Sequence, residues 1–201
     1  MDLRGILSPR CLNTLIFTDP YAKLCFTALL ASQFNRTIYL DLDTAFTAYF
    51  RAGLVRTEGI IDIYLPSEGR LVHMINDILA SLPSSGIVIF DSVNSFYNLF
   101  RTREKTLGNL NRLLSIMLML LVRRGVDSGV PVLATSMLRY RNAAGWVQSP
   151  ASRRLLQNKS GVRLKVEMGQ AEDSLVVRVV EHDSIAAESE ILCANTAVIR
   201  A

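Results

Sequence analysis

The sequence predicts an α/β fold, a doubly wound and mainly parallel sheet flanked by helices, with a C-terminal antiparallel hairpin extending the sheet. Three observations predict it. Leu12 to Phe17, Thr37 to Leu40, Gly86 to Asp91 and Val130 to Thr135 are short apolar runs that do not alternate, as strands buried on both faces require. Segments of helical spacing separate these runs, which calls for parallel strands joined by right-handed crossovers. Beyond a polar, basic connection from Arg139 to Arg154 the pattern changes: Gly161 to Met168 and Ser174 to His182 alternate apolar and polar residues around Gly169-Gln170-Ala171-Glu172-Asp173. Alternation of that kind marks a hairpin with one wet face.

The elements follow in order. After the first strand, Thr18-Asp19-Pro20 opens a helix, with Pro suited to its first turn. It runs through Tyr21, Leu24, Cys25, Ala28, Leu29 and Phe34. The second strand ends at Asp41-Leu42-Asp43, and a helix from about Thr44 to Ala52 stops at Gly53. Ile60 to Leu65 is a third strand. Ser67-Glu68 begins a helix that reaches Ser81, Asp91 ends the next strand, and Thr102 to Arg124 is the longest helix, closed by Gly125. Ala194 to Arg200 adds a last edge strand. There is no internal repeat and no long linker, so residues 1–201 read as one domain.

Half of the 201 residues are hydrophobic, enough for a sizeable core. Leu113 to Val122, flanked by Arg112 and by Arg123-Arg124, is about half of what a membrane span needs. No signal peptide is evident at the N-terminus, and an intracellular protein with no membrane partner is expected. Cys11, Cys25 and Cys193 are widely spaced in apolar surroundings, which argues against disulfides or zinc and reads as buried thiols. His73 and His182 do not suggest an acid–base pair. Net charge is +4 with a pI near 9.1, a mild excess that permits an anionic partner. The cations are mostly Arg, whose fork suits phosphate, although genome composition produces the same bias.

Asp91 sits at the carboxyl edge of a central strand, where open α/β sheets bind ligands and where nucleoside triphosphatases hold Mg²⁺. Capping of the next turn is the alternative. The order of strand, helix, strand ending in Asp41-Leu42-Asp43, Ile87-Val88-Ile89-Phe90-Asp91-Ser92, strand ending in Ala134-Thr135-Ser136-Met137, basic loop, and hairpin from Val162 to Ser184 resembles the RecA/RadA recombinase core. The resemblance covers about Leu12 to Glu190 and implies a RecA-like core. It also shows where the chain departs from the family. A phosphate-binding Walker A loop would lie between Phe17 and Leu24. Matching Lys23 to the family's lysine puts Phe17 and Ala22 at the glycine positions and Leu24 at the hydroxyl position. Thr18-Asp19-Pro20-Tyr21 thus lacks the amide cradle: Pro20 has no N–H to donate and Asp19 repels phosphate. Asp43 stands for the family's water-orienting Glu, one methylene shorter, and Ser136-Met137 replaces a nucleotide-sensing Asn or Gln pair.

The resemblance therefore implies a catalytically inactive paralogue, a pseudo-ATPase with a vestigial nucleotide site at Lys23, Asp43 and Asp91, no catalytic residue, no resident metal, and no ATP or Mg cofactor. In RecA-like proteins two loops at the same sheet edge face nucleic acid. By position these are Tyr97 to Lys105, with Arg101, Arg103 and Lys105, and Arg139 to Lys159, with Arg139, Arg141, Arg153, Arg154 and Lys159 plus Tyr140 and Trp146 for stacking on bases. A solvated loop or an acidic protein partner is the bland alternative. Three functions stay open. The first is a silent paralogue of the RadA-paralogue or Shu-complex kind that binds DNA and assists homologous recombination and repair with itself or a RecA/RadA-family paralogue. The second is an Elongator-like subunit that binds tRNA in a ring. The third is a RadA- or KaiC-type ATPase with an aberrant loop. DNA is favoured over tRNA.

Overall fold

A computed structural model describes residues 2–66, 69–100, 107–142, 145–148, 161–171, 174–181 and 188–192. The strands are β1 (Leu12–Phe17), β2 (Arg36–Asp41), β3 (Ile60–Tyr64), β4 (Ile87–Asp91), β5 (Val132–Met137), β6 (Arg139–Arg141), β7 (Gly145–Val147), β8 (Arg163–Met168), β9 (Ser174–Glu181) and β10 (Glu188–Leu192). All but β6 and β7 form one sheet in the order β10-β9-β8-β1-β5-β4-β2-β3. From β8 through β3 neighbours are parallel, while β9 pairs antiparallel with β8 and β10 antiparallel with β9. The expected mainly parallel sheet and its hairpin extension are both observed.

Central strands lack alternation because both faces are covered. Along β2, Ile38 and Leu40 face one core and Tyr39 the other; along β4, Val88 and Phe90 face the first, Ile87 and Ile89 the second. Helices α1 (Pro20–Ser32) and α2 (Ala45–Arg51) contribute to one layer, and α3 (Leu71–Ser81), α4 (Val93–Phe100) and α5 (Leu107–Ser128) to the opposite one. Helix α1 is buried nearly all round, from Ala22 to Ala31, and Leu3 and Leu7 of the N-terminal segment join its core. That segment is tied down by the Leu3 amide, which donates to Gln33 Oε1 at 2.7 Å. No described helix is long and apolar enough to cross a membrane. Cys11 and Cys25 are buried thiols, and Cys193 lies outside the described residues.

Several boundaries differ from those the sequence predicts, for identifiable reasons. Helix α3 begins at Leu71; just before it Gly69 has φ +78°, which a continuing helix does not allow, and Ser67 and Glu68 lie outside the described residues. Gly125 does not close α5 but lies inside it, where a Cβ would stand 2.5 Å from the Val130 carbonyl oxygen. It is a close-packing glycine. Tyr97 to Phe100, expected in a loop, form the end of α4. The basic connection contains a two-stranded hairpin of its own, β6–β7. The last strand among the described residues lies at Glu188–Leu192, and 194–200 are outside them.

Candidate functional site

The parallel strands bring the ends of β1, β2, β4 and β5 to one edge, so that Phe17, Asp41, Asp91 and Met137 converge there although they are far apart in sequence. A cavity of about 420 Å³ opens at this edge. Phe17, Asp19, Tyr21, Lys23, Asp43 and Tyr49 line it, together with Ser92, Asn94, Asn98, Met137 and Arg139.

Helix α1 enters the site N-terminus first. Asp19 is its cap, in extended conformation, and Asp19 Oδ1 accepts from the Tyr21 amide at 2.8 Å. Pro20 at the first helical position contributes no donor. The place where a helix start offers free amides and a positive dipole end to an anion already holds the chain's own carboxylate.

Lys23, one turn further on, lines the cavity with its ammonium held against two carboxylates. It is 2% exposed, and its Nζ lies 2.6 Å from Asp91 Oδ2 and 3.6 Å from Asp43 Oδ2. The Phe17 ring lies under it, with its centroid 5.6 Å from Nζ. Burial disfavours the charged amine, but the Asp91, Asp43 and Asp41 carboxylates outweigh burial and hold its pKa above the ordinary lysine value. Asp91, fully buried, also accepts from the Tyr39 hydroxyl at 2.7 Å and, on Oδ1, from Thr135 Oγ1 at 2.6 Å. Burial, followed by the Asp91 charge, pushes the Tyr39 phenol well above its usual range, so Tyr39 is a fixed donor. Asp91 does not cap the following helix. Ser92 does so, with its Oγ accepting from the Ser95 amide at 3.1 Å, and the Asp91–Ser92 peptide bond is cis.

Asp41 lies on the far side of this network. Its Oδ2 accepts from the Thr47 amide at 2.7 Å and from Thr47 Oγ1 at 2.6 Å, while its buried Oδ1 has no hydrogen-bond partner among the described residues. Burial pushes its pKa up to about 6 against the pull of those two bonds, with the Asp91 and Asp43 charges acting in the same direction as burial. One carboxylate oxygen from each of Asp41, Asp43 and Asp91 lies within 4.8 Å of the others, a spacing that a cation would satisfy. Lys23 already supplies one. A second cation beside that ammonium is repelled by about 4 kcal/mol per unit charge at about 4 Å and an effective dielectric constant near 20.

The structure thus brings together the predicted residues Lys23, Asp43 and Asp91. It adds Tyr39, Asp41, Thr47 and Thr135, which no local motif singles out except the Asp-x-Asp spacing of Asp41 and Asp43. Asn94 is a further addition: its Oδ1 accepts from the Met137 amide at 2.7 Å and from Ser136 Oγ at 3.3 Å, closing the Ser136-Met137 end of β5 onto α4.

Among the predicted nucleic-acid contacts, Arg139 is exposed on the cavity rim. Tyr140 and Trp146 face each other across β6–β7 in an edge-to-face pair, ring centroids 5.6 Å apart, and are 61% and 54% exposed. Arg141 belongs to the same hairpin. Arg101, Arg103, Lys105, Arg153, Arg154 and Lys159 lie outside the described residues.

No protein-family model matches the chain, and no curated protein matches it in sequence. Among solved structures, the crystal structure of the RadB recombinase matches with a TM-score of 0.60 and 16% identity, over 94% of this chain and 91% of that one. At that identity the likeness is one of fold, and the fold is RecA-like.

Proposed function

We propose that this chain is a RecA-fold protein that has given up nucleotide chemistry and binds nucleic acid, DNA in preference to tRNA, in support of homologous recombination or repair, as a single domain acting within an oligomer. The observation that carries the loss of nucleotide chemistry is the commitment of Lys23 to Asp91 at 2.6 Å in a buried site. A triphosphate has no free lysine to meet, and at the start of α1 it encounters the Asp19 carboxylate. Leu24 offers no hydroxyl for Mg²⁺, and two of the three nearby carboxylates, Asp91 and Asp43, already face the Lys23 ammonium. The residues present do not fit Mg-ATP, and no catalytic step is assigned to them.

The nucleic-acid half of the proposal is supported by the exposed Tyr140–Trp146 pair, carried on a hairpin with Arg139 and Arg141 at the carboxyl edge of the sheet. Aromatic faces that stack on bases beside guanidinium groups that track phosphates are the elements of sequence-tolerant single-strand binding. The fold shared with a recombinase favours DNA and a recombination role.

Fluorescence anisotropy of single-stranded DNA, duplex DNA and tRNA at two salt concentrations, with and without Mg-ATP, tests the proposal. Salt-sensitive DNA binding indifferent to Mg-ATP is the expected result. Binding of none of the three ligands overturns the nucleic-acid reading, a preference for tRNA moves the chain to an Elongator-like role, and an ATP-dependent change overturns the loss of nucleotide chemistry.

A further inference from the structure

Helix α5 buries Leu110, Leu114, Met117, Leu118, Leu121 and Gly125. The opposite face of such a helix is ordinarily polar. Here large apolar side chains share it: Ile116 is 40% exposed, Met119 61%, Leu120 39% and Val126 45%. At about 100° per residue these side chains share one outward strip with exposed Arg112, Arg123 and Asp127. Neither Arg112 nor Asp127 has an ion-pair partner among the described residues.

We infer that this strip is the contact surface of an antiparallel, two-fold dimer of the chain. The order of its charges supports this arrangement. A two-fold axis passing between Met119 and Leu120 sets each residue against the one equally far along the helix on the other side. Arg112 then meets the partner's Asp127, Ile116 lies along the aliphatic stem of the partner's Arg123, and Met119 packs on the partner's Leu120. Every contact occurs twice, as an isologous interface demands. A parallel pairing sets Arg112 on Arg112 and Arg123 on Arg123, and moving the axis to between Met117 and Leu118 sets Arg112 on Arg123. The charge pattern is self-complementary in the first register and repulsive in the other two.

The seam from Arg112 to Asp127 is about 22 Å long at about 1.5 Å per residue. One helix face of that length buries less than the roughly 800 Å² per partner of a standard interface, so dissociation in the micromolar range is expected.

The inference rests on the self-association part of the proposed function and is independent of nucleic-acid binding. Sedimentation equilibrium of the full chain without nucleic acid, from about 1 μM to several hundred μM, tests it. Expected is a monomer–dimer equilibrium that Met119→Glu weakens about tenfold or more. Arg112→Glu and Asp127→Arg are each expected to weaken it by about tenfold, and the two together to restore it to within about threefold. All these positions are exposed, and circular dichroism checks that the variants fold. A dimer unmoved by these changes overturns this interface while leaving self-association standing. A monomer at every concentration overturns both this interface and self-association, leaving only assembly with a different chain, and growth beyond the dimer overturns the closed two-fold arrangement.

Discussion

A buried ammonium is stable only where carboxylates replace the water it loses, and Lys23 sits between Asp91 and Asp43 on those terms. Lys23→Met removes the cation and leaves the Asp91 charge buried with hydroxyl donors alone. A loss of about 3 kcal/mol or more is expected in urea unfolding. Adding Asp91→Asn is expected to recover much of it, because the amide oxygen still accepts from Tyr39 or Thr135 without carrying a charge. Recovery would show that the lysine serves the fold. Asp41 makes a prediction in pH. Its folded pKa of about 6 lies above the unfolded value near 3.8, so its contribution is fully present below the unfolded pKa and is lost as pH rises through 6. The protein is expected to gain about 1 kcal/mol from this group between pH 7 and pH 5, and Asp41→Asn to remove that part of the slope while keeping an acceptor for Thr47. Paired denaturation curves at the two pH values read both quantities.

Where an element ends is decided by what it packs against. Gly125 is the place to test this on α5, because its nearest foreign atom is the backbone oxygen of Val130. In a free helix Gly→Ala is worth about 1 kcal/mol of stability; Gly125→Ala is expected instead to destabilise by about 1–3 kcal/mol, the contact forcing backbone apart. A stabilised variant in thermal melts would refute the close approach. In the proposed nucleic-acid surface the register of β6–β7 places Tyr140 opposite Trp146. Trp146→Ala is expected to weaken single-stranded DNA binding about tenfold with little change in its salt dependence, since stacking releases no counterions. Anisotropy titrations at two salt concentrations separate that outcome from the loss of a cation.

Across the whole molecule, the +4 charge is modest, so long-range attraction alone does not make a nucleic-acid binder. In the proposed role, local concentration of cations has to do so. Replacing Arg153 and Arg154 together with Ala is expected to weaken binding evenly across sequences and to lower the salt slope by about two phosphates' worth, read as log affinity against log salt. An unchanged slope would assign these arginines to another partner.

The parallel sheet, its hairpin extension and the identities of Lys23, Asp43 and Asp91 were determined by the sequence alone. Burial on both faces imposes unalternating apolar strands, and the lack of glycine between Phe17 and Leu24 is visible residue by residue. Tertiary structure decided what those residues do. It paired Lys23 with Asp91, assembled Lys23, Tyr39 and Thr135 around that one carboxylate, and left one Asp41 oxygen unpaired among the described residues. It also made Gly125 a contact and not a stop, and it folded Arg139–Arg141 and Gly145–Val147 onto each other. The division has a physical reason. Apolar periodicity is a local consequence of one layer covering another, whereas a buried charge network depends on which strand ends are neighbours, and parallel crossovers bring together residues separated by dozens of positions.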